Sequence, residues 1–202
     1  PQGFMAFAPQ VFLGERSLTA LQFSFIPRND KSIDFNFEAS DYSHLESEEP
    51  GRIILAGSYL ADSKYVQSSL SVENLYLDSI LKDAAFALPK NKKEGIEKAS
   101  EKVSDFIFSA DAYLSYDFET FSFNIPYSII ANTKKDRQFV VFSLNGNNNS
   151  IQISQLDLLN GNLSVNLSAL AELTENGKEA FFSTDLSVNG IPYHIGDRKS
   201  TR

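Results

Sequence analysis

Alternation of apolar and polar residues, interrupted by turn chemistry and then resumed, constrains this chain more than any other feature. Successive side chains of an extended strand point to opposite faces, so a period of two means strands with one apolar face and one polar face. Thr19, Leu21, Phe23 and Phe25 interleave with Ala20, Gln22, Ser24 and Ile26, and Ile33, Phe35, Phe37 and Ala39 interleave with Asp34, Asn36 and Glu38. Between them stand Pro27, Arg28, Asn29, Asp30 and Lys31, the residues of a tight connection, so the pair is expected to form an antiparallel hairpin. Residues 41–51 are acidic and polar and read as a solvated loop. Strands are then expected over 52–60, with Ile53, Leu55 and Tyr59 on one face, and over 65–72, with Val66, Leu70 and Val72.

The period changes at Leu77. Leu77, Ile80, Leu81, Ala84, Ala85 and Leu88 follow the spacing of an amphipathic helix, which Pro89 ends. A second helical stripe follows a basic turn, with Ile96, Ala99, Val103, Phe106 and Ile107 on one side and Lys92, Lys93, Lys98, Glu101 and Lys102 on the other. The expectation is a short helical hairpin covering one end of a sheet.

Alternation returns from Ala110 onward. Ala110, Ala112, Leu114, Tyr116 and Phe118 share one parity and Phe121, Phe123 and Ile125 the other, which requires a bulge or a turn near Glu119 and Thr120. The apolar run 138–144 leads into Asn145-Gly146-Asn147, read as a turn, and Ile151 and Ile153 begin the next strand. Asn160-Gly161-Asn162 precedes Leu163, Val165, Leu167, Ala169 and Ala171, whereas Asn176-Gly177 and Asn189-Gly190 bracket Ala180, Phe182, Thr184, Leu186 and Val188. Four Asn-Gly turns between strands predict an antiparallel meander. The expected organisation is strands of a sheet over 1–75, a helical excursion over 76–108, a β meander over 109–197 and a polar tail over 198–202, all within a fragment of a longer chain.

Several chemistries are set aside by what the 202 residues contain. There is no cysteine, which excludes disulfides and thiolate metal sites, and only His44 and His194 could supply imidazole. A formal charge of −8 disfavours nucleic acid as a partner, because phosphate binding needs a positive surface. The uncharged stretch 138–156 is long enough to span a bilayer as a helix, but its Asn, Gln and Ser groups resist transfer into hydrocarbon. No nucleophile elbow, phosphate loop, dinucleotide fingerprint or zinc-protease motif occurs. His44 lies in the acidic loop, read as a solvated charge run, and His194 has no sequence neighbour that would make it catalytic. Asp34 with Glu38, and Asp111 with Asp117, have the look of polar-face strand residues rather than of a hydrolytic pair. No catalytic residue, metal or cofactor is expected.

What covers the apolar face is left open by periodicity alone. A second sheet could pack on it, the sheet could close into a barrel, or the face could stay open for a ligand. The 17 Phe and the abundant Leu, Ile and Val would suit acyl chains as readily as a self-packed core.

The run 108–126, F-S-A-D-A-Y-L-S-Y-D-F-E-T-F-S-F-N-I-P, resembles the strand-turn-strand units of the TamB family of translocation and assembly proteins, relatives of the AsmA-like proteins. The run 150–165, S-I-Q-I-S-Q-L-D-L-L-N-G-N-L-S-V, is similar to them too, as is the closing 186–192, L-S-V-N-G-I-P. The helical excursion is not part of this repeat. The resemblance implies a mainly β fold, a long antiparallel twisted sheet or taco-like β-groove with a short helical hairpin inserted. It implies a periplasmic protein with an inner-membrane anchor elsewhere in the parent, carrying phospholipid acyl chains between the two membranes without catalysis. An outer-membrane barrel assembly protein is implied as a further partner. The residues expected to line the groove are Leu114, Tyr116, Phe121 and Phe123 upstream and Leu163, Val165, Leu167, Phe182, Leu186 and Val188 downstream. The competing expectation is a β-sandwich or solenoid module of a surface protein that binds carbohydrate or protein.

Overall fold

The structure, a computed structural model, describes residues 2–13, 16–42, 44, 50–86, 90–174, 177–188 and 191–201. Within those ranges the side chains of 13, 16, 83, 84, 86, 90–94, 97, 164, 166, 172–174, 177–188 and 192–201 are not described. Twelve strands follow one another in space as they do in sequence and form one antiparallel sheet. They are β1 (Phe4–Leu13), β2 (Arg16–Pro27), β3 (Ser32–Asp41), β4 (Gly51–Leu60), β5 (Tyr65–Tyr76), β6 (Phe106–Tyr116), β7 (Phe121–Asn132), β8 (Gln138–Asn147), β9 (Ser150–Asn160), β10 (Leu163–Thr174), β11 (Gly177–Val188) and β12 (Ile191–Thr201). Two helices, α1 (Leu77–Phe86) and α2 (Lys90–Lys102), stand between β5 and β6. The first and last strands are not paired with each other, so the sheet is open.

The cross-strand register carries the binary pattern from one strand to the next. Directly opposite residues share a face, so Phe23 opposite Phe37, Phe37 opposite Leu55 and Leu55 opposite Leu70 place four apolar groups in one row. The row continues through Ala112 in β6. Where a strand would lose register, a bulge restores it. Extra residues near Ala20 in β2, Asn74 in β5 and Pro126 in β7 shift the pairing, and Ala20 (φ 51°) and Asn74 (φ 52°) take the left-handed conformation. Each shift keeps apolar side chains on the same face although their sequence parity changes.

Several of the described connections are short and pinned by side chains. Asp30 Oδ1 accepts from the backbone N–H and the hydroxyl of Ser32 at 3.1 and 2.6 Å, closing β2 to β3. Asp117 Oδ1 accepts from the backbone N–H groups of Glu119 and Thr120 at 3.0 and 2.5 Å, which makes the parity change near 119–120 a turn between two strands. Asn132 Oδ1 accepts from the N–H groups of Lys134 and Lys135, both at 2.9 Å, and opens the connection to β8. Gly161 (φ 62°) occupies the turn from β9 to β10 as its sequence predicts.

Several expectations need correction. Phe106 and Ile107 belong to β6, because Val103 N–H donates to Ser100 O and Phe106 N–H to Val103 O, a turn that ends α2 and releases the next residues into the ladder with β7. The basic segment expected as a turn before that helix is itself helical from Lys90. Asn145 and Gly146 are paired within β8 and β9, and the turn lies one step later, where Asn147 Oδ1 accepts from the N–H groups of Asn149 and Ser150. β12 runs to Thr201, so residues 198–201 are strand and not a tail. In addition, β1 has no counterpart among the expected strands: Phe4, Met5, Ala6, Phe7 and Ala8 are apolar on both faces and show no alternation. The expected turns at Asn176 and Asn189-Gly190 fall on residues outside the described set.

Among the described residues, the largest group of buried apolar side chains lies at one end of the sheet. Leu18, Ala39, Val72 and Leu75 are buried on the apolar face, toward the strand ends that carry the helices. α1 packs on β5 and β6 there and α2 packs on α1, burying Ala85, Ser79 and Ser100. His44 lies against the same end. Its ring stacks on Tyr76 at 3.7 Å between centroids and its Nε2 meets the buried Asp78 Oδ1 at 3.0 Å, so it is held by packing and is not part of a solvated run.

Candidate functional site

Beyond the helical end, the apolar face has no second layer among the described residues, and apart from the small Ala112 and Ser128 its described side chains are half-buried or exposed. The ten residues expected from sequence to line a groove can be placed on it by register. Leu114 is opposite Phe123 and Tyr116 opposite Phe121, which brings the upstream four into one cluster on β6 and β7. Tyr116 and Phe121 are 39% and 40% exposed. Leu163 and Val165 pair with Val188 and Leu186, and Leu167 and Phe182 belong to the same two strands. The side chains of Phe182, Leu186 and Val188 lie outside the described residues, while Leu163 is exposed and Val165 and Leu167 are half-buried.

These two clusters do not meet. β8 and β9 separate them, and they occupy opposite halves of the strand length. What joins them is absent from the residues expected by sequence: Ile125 opposite Leu144 opposite Ile153, Phe142 opposite Leu156, and Val140 opposite Leu158. Leu156 and Leu158 then face Leu167 and Val165 of β10. The run 138–144 carries a signal for them, but β9 shifts register between Ile153 and Gln155, so Ile151 and Ile153 share a face with Leu156 and Leu158 despite their opposite parity.

Aromatic groups shape this face. Phe35 and Phe123 lie over Gly57 and Gly146, their directly opposite neighbours, where the missing side chain leaves room for a ring. Phe108 and Phe142, two strands apart, approach to 6.5 Å between nearly parallel rings. Adjacent strands are spaced by about 4.8 Å, so side chains two strands apart normally stand near 10 Å from each other. On the strand between them, Ser128, directly opposite Phe142, is 0% exposed and donates its hydroxyl to Phe142 O at 2.6 Å. A serine on the apolar face is thereby satisfied and hidden.

The other face is tied by polar pairs over β2 to β6, and it turns apolar where Ile107, Ala131, Phe139 and Leu159 stand in one row across β6 to β9 with Ile129 and Val141 beside them. Arg28 pairs with Asp34 at 2.7 Å, Arg52 with Glu38 at 2.6 Å, and Ser71 donates to Asp111 at 2.7 Å. The hydrogen bond to Glu38 is the main cause that raises the Arg52 pKa. Asp34 and Glu38 thus hold separate arginines, and Asp111 and Asp117 serve a ladder and a turn. The His194 side chain lies outside the described residues. No group of three or more potential metal ligands occurs among the described residues. No described helix is long and apolar enough to cross a membrane.

Comparison with protein-family models, with curated proteins and with solved structures finds no match to this chain.

Proposed function

We propose that the apolar face is a non-enzymatic surface for lipid acyl chains, and that the chain is a segment of an envelope-spanning phospholipid conduit. The observation that carries this reading is the continuity of the apolar face: it runs from β2 to β10 through register-restoring bulges, and no second sheet lies on it among the described residues. An unlayered apolar face of this extent needs an occupant. Acyl chains gain about 0.8 kcal/mol per CH₂ removed from water, so a chain lying along such a face is held without any directional contact. Where β2 to β6 carry their charged and hydroxyl pairs, the opposite side of the sheet stays wetted. The resemblance of 108–126 and 150–165 to TamB and AsmA-like repeats supports the same reading, with a periplasmic location and a barrel assembly partner as its corollaries.

In-cell photo-crosslinking in the parent protein tests it at two consecutive residues. Leu144 belongs to the apolar face and Asn145 to the polar one. Phospholipid adducts at 144 and not at 145 are expected; equal labelling, or none at 144, would sink the proposal.

A further inference from the structure

The polar face carries a cleft of about 570 Å³ across β4, β5, β6 and β7, a size typical of small-ligand sites. Its floor is made of short side chains in register, with Ser58 opposite Gln67 and Ser115 opposite Ser122. Tyr113 stands in the neighbouring row, between Ser69 and Asn124, and is 55% exposed. Tyr65 lies two residues before Gln67 on the same strand face. No residue that lines the cleft carries a charge.

The polar groups of the cleft divide into two sets. Gln67 Nε2 donates to Ser58 Oγ at 3.2 Å, and Ser115 and Ser122 share a hydrogen bond at 2.5 Å, which fixes the floor. Asn124, Tyr65 and Tyr113 make no side-chain hydrogen bond to a described residue. An unused amide and two unused phenols therefore border a neutral depression beside two broad aromatic faces. A charged ligand would find no counter-charge, and an acyl chain gains more on the opposite face. Sugars match both features, because their C–H faces lie flat on aromatic rings while their hydroxyls exchange hydrogen bonds with amide and hydroxyl groups.

We infer that this cleft binds a neutral oligosaccharide segment, with a sugar ring against Tyr113 and its hydroxyls bonded by Asn124, Gln67 and the serine floor. The site is on the side of the sheet opposite to the proposed acyl surface and does not depend on that reading.

Amide NMR spectra of the chain, titrated with maltohexaose and separately with the β-1,4-linked hexamer of N-acetylglucosamine, test the assignment. At least one sugar should give saturable shifts centred on Ser58, Gln67, Ser115 and Asn124, with a dissociation constant of about 1 mM or tighter. Tyr113→Ala and Asn124→Ala should each weaken that binding by about tenfold, and Leu144→Ala, on the other face, should leave it unchanged. Tyr113 is exposed, and an otherwise unaltered spectrum verifies that each variant is folded. Absence of saturable shifts with both sugars at millimolar concentration, or shifts indifferent to both cleft substitutions, would overturn the inference.

Discussion

The ring of Phe123 lies over the bare Cα of Gly146, its directly opposite partner in the adjoining strand, so closely that a methyl group at 146 would stand 2.8 Å from Cζ and 2.9 Å from Cε1. The same methyl would stand 2.5 Å from the backbone oxygen of Ser150. The ring could turn aside, but the carbonyl cannot move without disturbing the ladder. Gly146→Ala is therefore expected to destabilise the chain by about 1–3 kcal/mol, the usual cost of overpacking. Urea unfolding measures it, and an unchanged midpoint would contradict the packing described.

Gly95 provides the opposite case. It lies within α2 and is exposed, and a methyl group there would meet nothing within 4 Å. Gly95→Ala should stabilise the helix by up to about 1 kcal/mol, because glycine costs that much more conformational freedom in a helix interior. The same urea series would show the two alanines moving the midpoint in opposite directions.

Those two glycines also indicate how much of the fold can be read from sequence. Alternation places Phe23, Phe37, Leu55 and Leu70 on one face, and the structure keeps them there, because a strand's period leaves no other choice. Asn145-Gly146 reads as a turn and is strand, because its glycine serves a ring in the neighbouring strand, and a turn propensity carries no information about a residue 23 positions away. The bulges in β7 and β9 are invisible for a related reason. They exist to restore a register that is set by the next strand, so the segment alone looks like two short patterns of conflicting parity. Of the apolar face, alternation gives the strand positions of the two end clusters, whereas its middle is legible only in part, because the continuous apolar run 138–144 does not say which of its residues face which side. The polar cleft is not legible at all, since Ser58, Gln67, Ser115 and Ser122 come together only through pairing across four strands.

Asp117 and Asp30 should titrate below the ordinary aspartate value of 3.8. Hydrogen bonds from the backbone of Thr120, then of Glu119, lower Asp117, and the side-chain hydrogen bond from Ser32, followed by its backbone N–H, lowers Asp30. A depressed folded-state pKa contributes stability that is present above the unfolded value and is lost as pH falls through the folded one. The affected window lies below pH 4, and Asp117→Ala should flatten the stability profile there. Carboxyl-detected NMR titration gives each pKa, and either aspartate titrating above 3.8 would refute the turn geometry.

His44 fixes the segment that follows β3 onto the start of α1. His44→Phe would retain a ring to stack on Tyr76 but remove the hydrogen bond to Asp78, a carboxylate that is 7% exposed and would keep its ion pair with Lys82 at 3.3 Å. The expected loss is about 1–3 kcal/mol, the cost of leaving a buried polar group short of a partner. His44→Ala should lose more, because it also removes the stack. Urea midpoints of the two variants rank the contributions, and a phenylalanine variant as stable as the parent would show that the hydrogen bond adds nothing.

If the sheet is built to present its apolar face, the residues that hold the fold and those offered to a ligand should be separable by substitution. Leu75 is 4% exposed at the helical end, packed so closely beneath Gly51 that a methyl at 51 would stand 2.6 Å from Cδ2. Phe121, on the same face, is 40% exposed. Leu75→Ala should cost about 2–5 kcal/mol, the range for a leucine truncated in a closed core. Phe121→Ala removes a larger side chain, yet it should cost less than about 1.5 kcal/mol, because much of that ring is in water whether the chain is folded or not. Unfolding of both variants measures the contrast. The reverse order would mean that Phe121 belongs to the folding core, and a face whose aromatics are committed to stability has little surface left for acyl chains.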